Sequence, residues 1–336
     1  MIASTPVGSW TWETKRPSHD GDLAKKCVED TLAVLQVLKT TSLVVDPTSA
    51  DATVRVGGGG SDADVRSLSI GPTRADAEQH LLSVLHPVMT TDVGVITIDL
   101  SLPGAWLEGP VQFRAEKMFT LSVDVWASSA STVVLRTYSD VWMTHDLCGN
   151  RHSDLQRQNA PLLAAALLQI SQLLGAETDP GEPTWYGTPT VNGFEDIPDE
   201  DPEVLDSWGM FEVPSRSKRL HSSLPSGVLL YGDEPEGAIQ YVEVGEGATV
   251  LGYVWASESG ASAGYEPRSA AGDAAFVAGR FWLMRLSDLK KRRFSALQAL
   301  GELERLAGDL SSGSVIPGSR RRMDTLELLQ QVSGKS

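Results

Sequence analysis

Phe119-Thr120-Leu121-Ser122-Val123-Asp124-Val125-Trp126 is the stretch that decides the fold class. Its residue types alternate. Leu121, Val123 and Val125 share one face, and Ser122, Asp124 and Trp126 share the other. One apolar face and one polar face at a period of two describe a half-buried strand of an antiparallel sheet. A strand of a parallel sheet, covered on both sides, would read as an unbroken apolar run. Val133–Trp142 repeats the alternation, and Gly94–Leu100 precedes both as a further β-like run.

Working outward, helices and short strands flank these runs. Asp20 to Lys39 reads as a helix, because Leu23, Cys27, Thr31, Val34, Leu35 and Leu38 recur at spacings of three and four. Asp20 or Asp22 can cap it. Ser42–Val45, Thr53–Val56 and Val65–Ile70 follow as short β-like runs, with Gly57–Ser61 between the last two as a hairpin loop. The pair Thr73 and Asp76 has capping-box spacing and opens a second helix, whose buried side holds Leu81, Leu82, Val84 and Leu85. Asn159 is read as the cap of a third, Pro161 to Leu174, which Gly175 closes. This order has few obligatory parallel crossovers and predicts an α+β domain with helices on one face of a mainly antiparallel sheet. Trp208 to Val213 reads as one more strand.

The remainder forms a smaller α+β unit. Gly227–Tyr231, Ile239–Val244 and Thr249–Ala256 read as a three-stranded meander. A long helix over Ala270–Arg293, a second opened by the Ser295/Gln298 capping box, and a short one over Met323–Val332 follow. A chain of 336 residues exceeds the usual span of a single core. The expected organisation is an acidic domain over 1–214, a linker over 215–225 and a smaller domain over 226–336.

Charge is unevenly distributed. The net charge is −16, yet the part after Pro225 holds fourteen acids against twelve bases. Glu195 to Asp206, EDIPDEDPEVLD, has seven acids and two prolines in twelve residues, a composition that keeps it out of a packed core. An acidic domain repels nucleic acid and anionic lipid and suits a basic protein partner. No apolar run reaches the ~20 residues that span a bilayer. The N-terminus has no apolar run of signal-peptide length, and two cysteines are too few for a disulfide scaffold. The expected location is the cytoplasm, with both thiols reduced.

Catalytic patterns are weak. Asp140, His145, Cys148 and His152 could be assembled into a metal site, but their spacing matches no zinc pattern. A turn in which Asp146 bonds its own backbone and Gly149 takes positive φ explains the same residues. There is no G-x-S-x-G elbow, and the residues call for no cofactor, metal or catalytic group. Gly264 to Phe276 is more distinctive. Tyr265, Arg268 and Asp273 could form a ligand cleft at a helix N-terminus; alternatively, its small and large residues interlock, with Arg268 paired to Asp273. The basic runs Lys290–Arg293 and Arg320–Arg322 read as solvated helix ends. Five tryptophans, Trp10, Trp12, Trp106, Trp185 and Trp208, fall in expected loops or element edges. With Glu195, Asp196, Asp199, Glu200 and Asp201 they would form an acidic aromatic docking face.

Two sets of segments resemble uncharacterised actinobacterial proteins of toxin-immunity and secretion-associated type. One comprises Thr137-Tyr138-Ser139-Asp140-Val141-Trp142, Asp146-Leu147-Cys148-Gly149, Asn159-Ala160-Pro161-Leu162-Leu163-Ala164 and Pro183-Thr184-Trp185-Tyr186-Gly187 with Trp208-Gly209. The other comprises Leu251-Gly252-Tyr253-Val254-Trp255-Ala256, Ala271-Gly272-Asp273-Ala274-Ala275-Phe276 and Val315-Ile316-Pro317-Gly318-Ser319. The resemblance transfers no catalytic residue. The uneven charge, the lack of a catalytic constellation and the loop tryptophans make the leading expectation a non-enzymatic protein, of immunity or chaperone type, that occludes a basic partner. A small-molecule or anion binder, or an enzyme, using Tyr265–Asp273 is one alternative reading. A structural subunit of a larger assembly is the other.

Overall fold

The computed structural model describes residues 1–14, 22–45, 51–58, 61–69, 74–86, 94–127, 130–197, 205–247, 249–306 and 312–335. Two compact units emerge, Pro6–Leu205 and Met1–Thr5 together with Asp206–Ser336. The division therefore falls between Leu205 and Asp206, not at 214, and the first five residues belong with the C-terminal unit. Both units are α+β.

The larger unit runs β1 (Gly8–Thr14), α1 (Leu23–Thr40), β2 (Asp51–Gly58), β3 (Ser61–Ser69), α2 (Arg74–Leu85), β4 (Val95–Glu108), β5 (Val111–Trp126), β6 (Ser131–Thr137), α3 (Ser153–Leu174), β7 (Asp179–Pro180), β8 (Pro189–Thr190) and β9 (Gly193–Phe194). Seven strands form one sheet in the order β3-β2-β4-β5-β6-β1-β7, every neighbouring pair antiparallel. The alternation in β5 is realised: Leu121, Val123 and Val125 are buried, while Asp124 is half-buried and Trp126 exposed. α1 and α3 touch each other and lie on the apolar face. The Cys27 thiol reaches the Ile96 and Val123 carbonyls, and the Trp12 indole N–H bonds Ser171 of α3. Asp22 caps α1 by accepting from the Lys25 N–H at 3.1 Å; Asp20, Thr73 and residues 59–60 of the glycine run lie outside the described residues.

Three local expectations are corrected. β1 was read as loop, but Gly8-Ser9-Trp10-Thr11-Trp12 alternates as β5 does, and its paired tryptophans face the core. The hairpin of β4 and β5 extends well past Leu100, where the first of the expected strands ended. A register shift between Leu102 and Gly104 takes up the proline, whose missing N–H a regular ladder could not tolerate. Asn159 is no cap: α3 begins at Ser153. Asn159 is buried mid-helix, donating to the Leu107 carbonyl at 2.8 Å and accepting from the Leu107 N–H at 2.9 Å. Gly175 closes α3 in the left-handed conformation, as expected.

In the C-terminal unit a short π-helix, Trp208–Glu212, runs into α4 (Val213–Ser222), followed by β10 (Ile239–Glu246), β11 (Thr249–Ser257), β12 (Ala263–Pro267), α5 (Asp273–Lys291), α6 (Ala296–Leu303), β13 (Ser314–Val315), β14 (Arg321–Met323) and α7 (Leu326–Gly334). The expected strand over 208–213 and most of the expected linker over 215–225 are therefore helical. The reason lies in a stripe that hydrophobicity hides: Trp208, Glu212, Arg216 and Leu220, four residues apart, are all buried. Gly227–Tyr231 is not a strand either. The Leu229 N–H bonds the Ser287 hydroxyl and Tyr231 Oη bonds the Phe294 carbonyl, so this segment lies along the α5 helix and its end; β12 is the third strand of the meander.

The sheet of β10–β14 is covered on both faces. Val242, Val254, Ala256 and Tyr265 pack on Ala275, Ala278 and Trp282 of α5 and on α6. Ile239, Tyr241, Tyr253 and Trp255 pack on Leu326 and Leu329 of α7. The Ser295/Gln298 capping box of α6 is complete.

Candidate functional site

The densest buried charge lies in the C-terminal unit, at side chains the sequence reading passed over. The Arg216 guanidinium donates to Glu266 Oε2 at 3.1 Å, to the Pro267 carbonyl at 2.8 Å and to Ser333 Oγ at 3.0 Å. It stacks on the Trp208 ring at 4.4 Å and lies 4.0 Å from Glu212, which accepts from the Ser4 N–H at 2.6 Å. Burial pushes the Glu266 carboxyl above its ordinary 4.5, against the opposing pull of Arg216 and of the Gln330 amide. Every one of these groups faces another protein group, so the cluster ties α4, β12 and α7 together and presents nothing to a substrate.

The expected cleft at Tyr265, Arg268 and Asp273 is not assembled. Tyr265 is buried between β12 and α5, where a Cβ on Gly279 would stand 2.8 Å from its ring. Burial raises its phenol well above 10, so it stays protonated. Asp273 pairs with Arg219 at 2.6 Å, not with Arg268, which turns back toward the Val250 carbonyl. Small residues here let large rings approach: Gly279 meets Tyr265, and Gly264 meets the Trp255 indole. Interlocking is what the residues accomplish.

The polar segment after β6 is a turn. Asp146 accepts from the N–H groups of Cys148 at 2.9 Å and Asn150 at 2.8 Å, and Gly149 has φ 79°. Asp140 is buried and accepts from the Leu147 N–H at 3.0 Å. Among the described residues no three His, Cys, Asp or Glu side chains are placed to share a metal ion. Burial lowers the His152 imidazole below its ordinary 6.5.

Four of the five tryptophans expected on the surface are inside. Trp10, Trp12 and Trp208 are within 1% of full burial and Trp106 is 5% exposed. Three of them find an acceptor for the indole N–H, which removes the cost of enclosing it: Trp10 bonds the Thr190 carbonyl, Trp12 the Ser171 and Thr178 hydroxyls, and Trp208 the Gln330 carbonyl. Trp106 stacks on Phe113 at 5.8 Å. These four cannot form a docking face.

Trp185 is different. It is 72% exposed, at the tip of a turn closed by the Thr184 N–H on the Gly187 carbonyl at 2.9 Å. The turn is fixed from below: the Thr184 hydroxyl donates to the Val7 carbonyl, and Tyr186 beside it is buried. The Glu195 N–H bonds the Thr188 carbonyl at 2.9 Å, which brings Glu195 and Asp196, both exposed, next to this turn. Val191, 51% exposed, lies between β8 and β9. Glu177, Asp179 and Glu182 are exposed on the approach to the turn. Residues 158–205 hold nine carboxylates and no lysine, arginine or histidine. Asp199, Glu200 and Asp201 lie outside the described residues. The result is an aromatic side chain on a hydrogen-bonded base, with carboxylates around it and no cation in the segment to neutralise them. The loop position of Trp185 and the acidic run were both legible in the sequence; the Thr188–Glu195 link that joins them was not.

No family model matches the chain, and no curated protein or solved structure matches it. Among the described residues no helix is long and apolar enough to cross a membrane.

Proposed function

We propose that this chain is a non-enzymatic protein-binding protein, of immunity or chaperone type, whose larger unit occludes a basic partner through the surface around Trp185. The observation that carries the reading is Trp185, held outward on a fixed turn within a segment of carboxylates that contains no cation. Tryptophan is enriched at binding hot spots, where a rigid ring displaces water from a pocket. Carboxylates around it steer a basic partner and raise the association rate. The wider charge distribution supports the same reading: residues 6–205 hold 28 acids and 13 bases, a net of −15, whereas the other unit carries −1. An occluding protein needs complementarity and no reactive group, and the buried charges of the C-terminal unit are paired with one another.

The test is to mix the purified chain with the product of each reading frame encoded beside it and to follow complex formation by size exclusion and light scattering. The expected result is a stable complex with a basic neighbour at low salt, whose association rate falls steeply between about 50 mM and 500 mM salt as the charges are screened. Failure of every neighbouring product to bind at low salt would overturn the reading.

A further inference from the structure

The exposed face of α5 has the wrong composition for a solvated helix. Val277 is 53% exposed and Met284 39% exposed. They stand seven residues apart on one helix face, with the half-buried Phe281 between them and the exposed Arg280 and Arg285 beside them. Residues 280–293 hold six cations and one acid, in a chain of net charge −16. The guanidinium of Arg285 lies over the Phe281 ring at 4.9 Å and that of Arg292 over Phe294 at 5.0 Å, so cations stand directly against apolar rings here. Only Lys291 is drawn to an acid of this run, Asp288 at 3.9 Å. Arg293, just past the helix, has φ 65°, a left-handed conformation that glycine normally takes and that strains a residue bearing a Cβ. Helix C-termini favour cations, which accounts for lysine and arginine in the last turn. It does not account for Arg280 and Arg285 further back, nor for exposed valine and methionine between them.

We infer that this face of α5 is a second docking surface, for an acidic protein segment that carries apolar side chains. Met, Phe and Arg are the residue types enriched in protein interfaces, and the sign of the patch selects carboxylates. A second copy docked through the same face would set arginine against arginine across a two-fold axis, which excludes a symmetric dimer through α5; head-to-tail docking on a second copy's acidic unit would show as self-association in size exclusion and would overturn the inference. Nucleic acid would use the cations, but would leave Val277 and Met284 without a partner and would be repelled by the rest of the chain. With the Trp185 surface attracting basic proteins and α5 attracting acidic ones, the chain can bridge two partners of opposite charge.

Fluorescence anisotropy on the full chain tests this with three labelled probes of equal length: an amphipathic peptide of Glu and Leu, a peptide of Glu alone, and single-stranded DNA. The Glu/Leu peptide is expected to bind at least about tenfold more tightly than poly-Glu, a margin of about 1.4 kcal/mol. Met284→Gln should erase that margin, because it removes apolar contact and leaves the charge unchanged. Arg280→Glu with Arg285→Glu should weaken both peptides at least about tenfold at low salt. Trp185→Ala should leave the binding unchanged, which separates failure here from failure of the proposed partner surface. These sites are exposed, and unchanged circular dichroism of the variants confirms their folding. Equal binding of the two peptides, no peptide binding, DNA binding tighter than either peptide, or binding that survives the Met284 and arginine variants would each overturn the inference.

Discussion

Replacing Arg216 by methionine isolates what holds the C-terminal unit together. The change preserves much of the side-chain volume while removing the hydrogen bonds to Glu266, Pro267 and Ser333 and the cation over Trp208. Glu266, 6% exposed, then loses the cation that opposes its burial. Removing one partner of a buried ion pair costs about 3–5 kcal/mol, because the stranded charge cannot regain its hydration. Against a typical total of about 5–15 kcal/mol this is a large share. Hydrogen exchange read by mass spectrometry resolves it by region. Peptides from β12 and α7 should lose roughly two to four orders of magnitude of protection, since each 1.4 kcal/mol is a factor of ten. The substitution should also make stability depend on pH. A carboxyl whose folded pKa lies above its unfolded value is most favourable below about 4.5 and loses stability as pH rises through the folded value. Without Arg216 that loss should extend to higher pH. Adding Glu266→Gln should recover part of the protection. A cost below about 1 kcal/mol for Arg216→Met would refute the reasoning, since it would mean the guanidinium is not what compensates the buried carboxylates.

Three further predictions follow from particular residues. Gly279→Val places new atoms against the Tyr265 ring, whose Cδ1 lies 2.8 Å from the Cβ position, and against Leu220 at 2.9 Å; it should destabilise the C-terminal unit by about 1–3 kcal/mol in urea titrations. Thiol labelling of the native protein should modify Cys148, which is partly accessible, and spare Cys27 until denaturant is added, because burial pushes the Cys27 thiol far above the ordinary range. The His152 imidazole is depressed below 6.5, so its contribution to stability is present above 6.5 and lost as pH falls through the folded value; exchange near the start of α3 should quicken on acidification, and less so in His152→Gln.

How much was legible follows from what kind of signal each element carries. The alternation of β5, the spacing of α1, the Gly175 stop and the Ser295/Gln298 box are local, and each appears in the structure where the sequence places it. β1 was missed because two tryptophans at alternate positions look like a surface pair until a partner strand is known. The α4 stripe was missed because half of it is Glu212 and Arg216, charged residues that periodicity arguments count as solvent-facing; only their pairing across β12 and α7 permits burial. The same limit applies to the site. Trp185 and Glu195 were expected on one face together with four tryptophans that are in fact buried, and it is the Thr188–Glu195 hydrogen bond, a contact between backbones, that brings Glu195 beside the Trp185 turn. Trp10, Trp12 and Trp208 were misplaced for the converse reason, since the acceptors that enclose their indole N–H groups lie far away in sequence; Trp106 was misplaced because the strand that carries it was expected to end at Leu100.

The most direct measurement is the affinity of the chain for the basic product of a neighbouring reading frame, compared between the native sequence, Trp185→Ala and the double variant Glu195→Lys/Asp196→Lys. Loss of a tryptophan that is buried on binding should cost about 2–4 kcal/mol, at least about thirtyfold in Kd and mostly in the dissociation rate. The lysine pair should instead slow association and flatten its salt dependence. Affinity that all three proteins share would contradict the account, because it would place the contact somewhere other than the surface around Trp185.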